Sequence, residues 1–252
     1  MKKCGLIAVV ALFFLSGCDK QQLDTYSLAP LSDYFPLQTG KYITYDLDST
    51  TYPNFGSAAV ITHYQVQYYT DSTVTDNLGR TAYRIIRYIR DSATAPWIPD
   101  NTFLAINTGN TIEWIEDNLR FIKLNRPILA GSSWKGNNYL YTYTADTANQ
   151  VTPLIYLDNW NYSYDSINTS LTLGSLTIDS TFKVSEVDNE IGIQNDPNFY
   201  STITYSSENY AKGIGLVYRR FLFQEYQPPV NGNPGYYNTD GYGITLTMID
   251  HN

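Results

Sequence analysis

Residues 60–68 have the sequence Val60-Ile61-Thr62-His63-Tyr64-Gln65-Val66-Gln67-Tyr68. Successive side chains of an extended segment point to opposite faces. The even-numbered positions hold valine, tyrosine and threonine, whereas the odd-numbered positions hold mostly histidine and glutamine. This two-residue period predicts a β-strand with one face wetter than the other.

A composition typical of β-strands and turns continues along the chain, which contains 24 tyrosines and short clusters of Asn, Asp, Gly and Pro. Tyrosine and β-branched residues favour strands, and the clusters favour tight turns between them. We predict no helix beyond residue 17, apart from isolated helical turns near 31–36 or 207–212. Besides residues 60–68, we predict strands at 41–48, 81–90, 101–107, 111–116, 119–125, 138–144, 160–166, 171–178, 181–187, 200–206, 214–226 and 243–250.

This number of strands in one chain predicts an all-β fold. The turns between the strands are short, so we expect one antiparallel domain rather than two. A strongly curved sheet, a half-open barrel and a sandwich all fit the pattern, and the sequence does not separate them.

The N-terminus carries Lys2 and Lys3, an apolar run over 5–15, and the small residues Ser16 and Gly17 before Cys18. It resembles a bacterial lipoprotein signal peptide. The resemblance implies cleavage before Cys18 and lipidation of its thiol, with the acyl chains holding the protein to the membrane. We therefore expect a signal peptide at 1–17, a lipidated N-terminus and tether at 18–33, and a β-rich domain at 34–252.

Charge and cysteine content narrow the function classes. Loss of Lys2 and Lys3 with the signal peptide takes the formal net charge from −8 to −10. Nucleic acids and anionic headgroups require basic surfaces, so we expect neither as a partner. Cys18 would be the only cysteine of the mature chain, so core burial rather than a disulfide must stabilise the domain.

Three segments support a family resemblance. Residues 34–45 contain Tyr-Phe-Pro-Leu-Gln-Thr-Gly, residues 210–218 contain Ala-Lys-Gly-Ile-Gly-Leu-Val, and residues 127–134 join a proline, a glycine and a tryptophan. Together they resemble a family of uncharacterised, exported, β-rich lipoproteins of the Bacteroidota. The resemblance implies a fold more than an activity. The layout is also similar to the half-barrels of periplasmic lipid and lipoprotein carriers.

Residues 226–243 contain three prolines and four glycines, which predicts a long loop. Tyr236, Tyr237 and Tyr242 lie in it, and each combines a flat apolar ring with a polar hydroxyl. We interpret them as ligand-binding residues for a sugar or a partner surface. In the alternative interpretation, the loop folds back and its tyrosines pack on the sheet.

A repeated Asp-(Ser/Thr)-x pattern resembles the acceptor for O-glycosylation of exported Bacteroidota proteins. Such tripeptides also favour turns, and both interpretations stay open. The candidate acceptors are Ser49, Ser72, Ser92, Thr147, Ser166 and Ser180.

The sequence offers little for catalysis. His63 and His251 are the only histidines, so we predict no catalytic triad, no metal site and no cofactor. Carboxylates could still form a glycosidase pair or a calcium loop, although we interpret them as surface clusters. The candidates are Asp46 with Asp48, Glu113 with Glu116 and Asp117, and Asp188 with Glu190 and Asp196.

The favoured hypothesis is a non-catalytic cell-envelope lipoprotein, anchored through Cys18 to the outer membrane, that binds a ligand, an envelope protein or a glycan. Whether it faces the periplasm or the cell surface is open. The alternatives are a carboxylate-based glycan hydrolase and a carrier of an apolar ligand in a half-barrel cavity.

Overall fold

The computed structural model describes residues 29–140, 157, 160–194 and 196–252. A short 3-10 helix at Leu31–Asp33 precedes the strands, and one helical turn, Pro53–Gly56, follows the first of them. The strands are β1 Tyr42–Thr51, β2 Val60–Thr75, β3 Thr81–Arg90, β4 Ile98–Asn107, β5 Thr111–Glu116, β6 Leu119–Asn125, β7 Ser133–Trp134, β8 Tyr162–Leu173, β9 Leu176–Gly192, β10 Ser201–Ala211, β11 Gly215–Gln227, β12 Tyr236–Tyr237 and β13 Tyr242–His251.

All thirteen strands belong to one antiparallel sheet, which forms a nearly closed barrel with one unsealed seam. The order around the barrel is β6-β5-β4-β3-β2-β1-β13-β11-β10-β9-β8-β7, and β12 pairs with the end of β11. The predicted all-β antiparallel class is confirmed, and the barrel is selected over the sandwich. No helix in the described part of the chain is long and apolar enough to cross a membrane.

The seam lies between β6 and the short strand β7, where no ladder of backbone hydrogen bonds forms. Single hydrogen bonds bridge it instead. Ile122 N donates to Gly136 O at 2.7 Å, and its carbonyl accepts from Trp134 Nε1 at 2.8 Å. Tyr164 on β8 donates its hydroxyl to Asn125 O at 2.7 Å. Side chains therefore satisfy part of the edge that a ladder would otherwise cover.

The largest core cluster is aromatic and includes Trp134, Tyr162, Phe182 and Tyr210. Leu31 belongs to the same cluster and is only 1% exposed. The packed domain thus begins before Tyr34, which is where we placed its start from the sequence. The sequence around Leu31 lacks a sustained apolar period, so a single deeply buried side chain in a short 3-10 turn left no pattern to detect.

Two of the segments that carry the family resemblance meet in the structure. Gly213 N donates to Asp33 O at 2.6 Å, and Lys41 Nζ donates to Gly213 O at 3.2 Å. The rings of Phe35 and Tyr210 lie 6.1 Å apart. The third segment, which contains Trp134, forms the seam. All three segments therefore stabilise the barrel, in keeping with a resemblance that implies fold rather than activity.

Three local predictions were wrong. Residues 171–178 form two strands rather than one, because Gly174 adopts a φ of 59° and turns the chain between β8 and β9. Residues 207–211 continue β10 instead of forming a helical turn. Residues 138–140 form a turn, and the rest of the predicted strand 138–144 lies outside the described residues.

Candidate functional site

A cluster of ionic side chains lies inside the barrel. Lys123 Nζ donates to Glu186 Oε1 at 2.8 Å and to Glu208 Oε1 at 2.7 Å. The side chains of Lys123, Glu186 and Glu208 are 8%, 2% and 2% exposed. Lys123 belongs to the edge strand β6, whereas the glutamates belong to β9 and β10 near the opposite edge, so these ion pairs span the seam.

Both glutamates have further partners. Ser206 Oγ donates to Glu186 Oε2, and the Tyr210 hydroxyl donates to Glu208 Oε2, each at 2.5 Å. Burial alone would raise the pKa of Glu208, but the charges of Lys123 and Arg219 outweigh burial and hold that pKa below its ordinary value. Glu208 is therefore ionised at neutral pH.

The pKa of Lys123 is also set by burial and by neighbouring charges, which here act in opposite directions. Burial would lower the pKa of the Lys123 ammonium, yet the nearby carboxylates of Glu186 and Glu208 raise it above its ordinary value. Burial, and then the negative charge of Glu208, raises the pKa of the Tyr210 hydroxyl well above 10.0. At neutral pH the cluster thus holds one ammonium, ionised Glu208 and a neutral tyrosine.

Arg219 on β11 is incompletely satisfied. Its Nε lies 3.5 Å from Glu208 Oε1, within ion-pair distance, but this nitrogen is buried and has no hydrogen-bond acceptor among the described residues. Burial would lower the pKa of Arg219, but Glu208, then Glu116 and Glu186, raise it. Because buried donors are nearly always paired in folded proteins, this unpaired nitrogen is an exception among the described residues.

A cavity of about 330 Å³ adjoins this cluster. Arg219, Lys123 and Glu186 lie at its ionic side, while Asp117 in the β5–β6 turn and Tyr242 at the start of β13 contribute to its wall. The volume falls within the range of about 300–1,000 Å³ that is typical of small-molecule pockets.

One wall of this cavity is aromatic. The rings of Tyr242 and Phe221 stack with centroids 4.7 Å apart, and Phe221 lies 6.3 Å from Trp160. Phe121 of β6 also lines the cavity. Three of these rings are largely or partly buried, whereas Tyr242 is 43% exposed. The cavity therefore combines an apolar surface with an ionic one, as binding sites for small molecules commonly do.

Glu116, at the end of β5, also lines this cavity. It accepts one hydrogen bond, from Trp114 Nε1 at 3.3 Å. By contrast, Arg87 on the same cavity wall is already paired with Asp100, whose Oδ2 lies 2.5 Å from Arg87 Nε. Glu116 thus retains capacity to accept further hydrogen bonds, whereas Arg87 is engaged within the protein.

A second cavity, of about 70 Å³, adjoins the same ionic cluster, since Lys123 and Arg219 line both cavities. Its lining is mostly apolar and includes Phe35, Pro36 and Leu37. The segment that follows the expected tether therefore covers this side of the barrel interior.

A further ionic group is structural. Arg80 Nη2 lies 2.8 Å from Asp76 Oδ2 and 2.7 Å from Glu113 Oε2, and Arg120 also pairs with Glu113. Asp76 accepts hydrogen bonds from the backbone of Leu78 and Arg80, so it closes the β2–β3 turn. None of these residues lines either cavity.

The three tyrosines predicted to bind a ligand do not form one group. Tyr242 lines the larger cavity. Tyr237 packs back on the sheet, with its ring 4.9 Å from that of Tyr52 and 5.0 Å from that of Tyr226. Tyr236 pairs with β11 through its backbone and is 48% exposed. Tyr237 matches the alternative interpretation, in which the loop folds back.

The remaining predicted site residues are scattered. Cys18 and Thr147 lie outside the described residues. Of the other candidate acceptors, Ser92 is exposed in the turn after β3, whereas four serines lie partly buried on strands: Ser49, Ser72, Ser166 and Ser180.

The carboxylate candidates are divided among several places. Glu116 and Asp117 both line the larger cavity, whereas Glu113 pairs with Arg80 and Arg120 outside it. Asp48 Oδ1 lies 2.6 Å from His63 Nδ1, within hydrogen-bond distance. Asp46 Oδ1 accepts a hydrogen bond from Gln65 Nε2 at 2.9 Å. Asp188 and Glu190 are exposed on β9. Within the described ranges, no group of three His, Cys, Asp or Glu residues is placed to hold a metal ion.

Sequence reasoning missed Lys123, Glu186, Glu208 and Arg219. A signal was present, because each charged residue lies at an even spacing from inward-facing apolar residues of its own strand. Lys123 follows Phe121, and Glu186 follows Phe182 and Val184. Glu208 precedes Tyr210, and Arg219 lies between Val217 and Phe221. A charged residue on an otherwise apolar strand face indicates a buried, paired charge.

Comparison with known proteins adds little. No protein-family model matches this chain, and no curated protein matches it. Among solved structures, a predicted exported protein from Bacteroides fragilis with a YmcC-like fold is similar to this chain at 13% identity, covering 86% of this chain and 99% of its own length. The TM-score is 0.31, which is too low for the match to carry an argument about fold or function.

Proposed function

We propose that this protein is a non-catalytic, lipid-anchored protein of the cell envelope whose barrel binds a small molecule in the 330 Å³ cavity. The observation that supports binding is the combination in one cavity of an aromatic wall with a buried Arg219 Nε that has no acceptor among the described residues. A ligand that supplied this acceptor would satisfy the nitrogen and cover the rings.

The envelope location is proposed from the N-terminal sequence. Basic residues, a short apolar run and Ser16-Gly17-Cys18 are the features that a lipoprotein signal requires. The acyl chains would anchor the protein in the outer membrane. Because residues 35–37 cover the small cavity, the tether would join the barrel on that side, leaving the larger cavity farther from the anchor.

The two carboxylates that pair with Lys123 favour binding over glycan hydrolysis. A glycosidase needs one carboxyl with a raised pKa to act as an acid and a second that is free to act as a base or nucleophile. Glu208 has a lowered pKa, and both Glu186 and Glu208 are held by Lys123. These two carboxylates are therefore engaged in charge pairs instead of being poised for proton transfer.

The apolar-carrier alternative has weaker support. The mostly apolar cavity lined by Phe35 measures about 70 Å³. One water molecule occupies ~30 Å³ in the liquid, so this cavity is little larger than two water molecules. The larger cavity has ionic groups along one side, and covering them with an acyl chain would remove water without supplying hydrogen bonds. A ligand with polar groups of its own suits the larger cavity better.

The proposal is tested by filling the cavity. Ile244 lines the larger cavity, so Ile244→Trp places additional volume there. The probe is the fluorescent aromatic anion 8-anilinonaphthalene-1-sulfonate. We expect the wild-type protein to bind it saturably, Ile244→Trp to bind it at least tenfold more weakly, and a low-molecular-weight envelope extract to displace it.

The matched control is Tyr236→Trp, which adds a similar ring at an exposed position outside the cavity. Circular dichroism would confirm that both variants fold. Equal probe binding by wild type and both variants would contradict the proposal, because the probe would then be bound somewhere else on the surface.

A further inference from the structure

Arg219 and Glu116 are the two groups of the larger cavity whose charges are least satisfied by the protein. Arg219 Nε has no hydrogen-bond acceptor in the described chain, and Glu116 accepts only the 3.3 Å contact from Trp114. The other charges at this cavity are engaged by the protein or exposed to solvent: Lys123 is held by Glu186 and Glu208, Arg87 is held by Asp100, and Asp117 is exposed in the β5–β6 turn.

The topology places these two groups across the barrel from each other. Glu116 ends β5 and Arg219 belongs to β11, and these strands are separated by β4, β3, β2, β1 and β13 in the sheet order. Half of the barrel circumference therefore lies between them, so inward side chains from the two strands approach one another only through the interior. Glu116 is also one of the carboxylates whose charge raises the pKa of Arg219.

The charge pattern selects among ligand classes. A simple anion would pair with Arg219 but would be repelled by Glu116 and by Glu208, which lies 3.5 Å from Arg219 Nε. A simple cation would pair with Glu116 but would be repelled by Arg219. A ligand that carries both charges on one small body pairs with both groups and adds no net charge to the interior.

Building on the proposed function, we infer that the cavity binds a free α-amino acid with an apolar side chain. Its carboxylate would accept hydrogen bonds from the Arg219 guanidinium, and its ammonium would donate to Glu116. The side chain would pack on the aromatic wall of Phe121, Trp160, Phe221 and Tyr242. A guanidinium is well matched to this task, because its planar fork bonds both oxygens of a carboxylate.

The test pairs ligand analogues with protein variants in calorimetric titrations. L-Leucine carries both charges, N-acetyl-L-leucine lacks the ammonium, and L-leucinamide lacks the carboxylate. We expect the wild-type protein to bind L-leucine at least tenfold more tightly than either analogue, since each analogue lacks one of the two charge-assisted hydrogen bonds.

The variants assign each contact. Glu116→Gln is expected to weaken L-leucine binding at least tenfold but not to weaken N-acetyl-L-leucine binding, which should become tighter because the carboxylate that repels an anion is gone. Arg219→Lys keeps the positive charge beside Glu208 but loses the planar fork, so it is expected to weaken L-leucine binding and to leave L-leucinamide binding unchanged. Arg219→Gln is a second variant, which removes the positive charge as well as the planar fork. It is measured once circular dichroism has shown that it folds.

The outcomes separate this inference from the proposed function. Equal affinity for the three leucine compounds, or equal losses for every compound in each variant, would overturn the amino-acid assignment. Binding of methyl glucoside or of acetate in place of L-leucine would also overturn it, while the cavity would still be a binding site. If the wild-type protein bound neither L-leucine, nor the sulfonate probe, nor any component of the envelope extract, both the inference and the proposed function would be contradicted.

Discussion

Lys123 Nζ lies 2.7 Å from Glu208 Oε1, although the two residues are 85 positions apart in the chain. They belong to strands near opposite edges of the same sheet, so the contact holds the barrel together across its seam. Lys123 lines both cavities, and Glu208 lines the smaller one. One ion pair thus contributes to the shape of the barrel and to the polarity of the proposed ligand site.

Removing the cation from this contact should be costly. Lys123→Met leaves Glu186 and Glu208 buried without their partner, which we expect to destabilise the protein by about 3–5 kcal/mol. Urea unfolding followed by circular dichroism measures the change. Adding Glu186→Gln should recover part of the loss, because it removes one of the two unpaired carboxylates and leaves Glu208 to pair with Arg219.

A matched control is Lys183→Met on β9, whose side chain is 31% exposed and whose ammonium lies 3.2 Å from Asp165. Exposed pairs contribute about 0–1 kcal/mol, so this variant should be close to wild type. Similar losses for the two lysine variants would contradict the account of the interior cluster.

The interior cluster also makes stability depend on pH. The folded pKa of Glu208 is lowered, so its stabilisation is present above the ordinary value of 4.5 and is lost as pH falls through the folded pKa. The folded pKa of Lys123 is raised, so its stabilisation is present below 10.5 and is lost as pH rises through the folded pKa. Stability should therefore be greatest between these limits.

Urea unfolding between pH 7 and pH 3 tests the acidic side. We expect Glu208→Gln to lose less stability over this range than the wild type does. Glu190→Gln makes the same substitution at an exposed carboxylate and should follow the wild-type curve. Parallel curves for all three proteins would show that Glu208 does not contribute to the acid response.

The N-terminal boundary of the domain is testable through Leu31, which is 1% exposed. Leu31→Ala removes a fully buried side chain, and such changes typically cost about 2–5 kcal/mol. Deletion of residues 19–28, which precede the packed segment, is expected to leave the melting temperature nearly unchanged. A shift of several degrees on that deletion, or none for Leu31→Ala, would contradict this boundary.

Lipidation is tested at Cys18. The thiol is the chemical group that accepts the lipid, so Cys18→Ser should abolish incorporation of labelled palmitate and leave an unprocessed precursor. Cys4→Ser changes the other cysteine and is expected to leave labelling unaffected. Normal maturation and membrane fractionation of the Cys18 variant would contradict the anchor.

The sequence was sufficient to predict most of the barrel. Residues 81–90, 111–116 and 119–125 form strands with the predicted bounds, because alternation and turn residues are local signals. The Gly174 turn was missed since the threonines and leucines around it favour a strand on either side. Whether the sheet closes depends on contacts across the seam, such as Trp134 with Ile122, which no local pattern encodes.

The candidate site was harder to predict because its residues come from separate strands. A charge in phase with an apolar strand face indicates burial, but it does not identify the partner. The barrel alone brings together the four residues Lys123, Glu186, Glu208 and Arg219. Tyr242 was selected as an exposed loop aromatic, yet it lines the cavity as the first residue of β13. The local composition therefore selected Tyr242 as a binding residue, but it did not predict the aromatic cavity wall that Tyr242 forms with residues of other strands.

The central claim, that the larger cavity binds a small molecule, is tested most directly by methyl-labelled NMR during titration with low-molecular-weight envelope extract. Ile244 and Leu119 line the cavity, whereas Ile191 and Ile193 are exposed at the end of β9 and beyond it. We predict saturable shifts of the Ile244 and Leu119 methyl signals with no change at Ile191 and Ile193. Unchanged cavity signals, or shifts confined to Ile191 and Ile193, would contradict the claim.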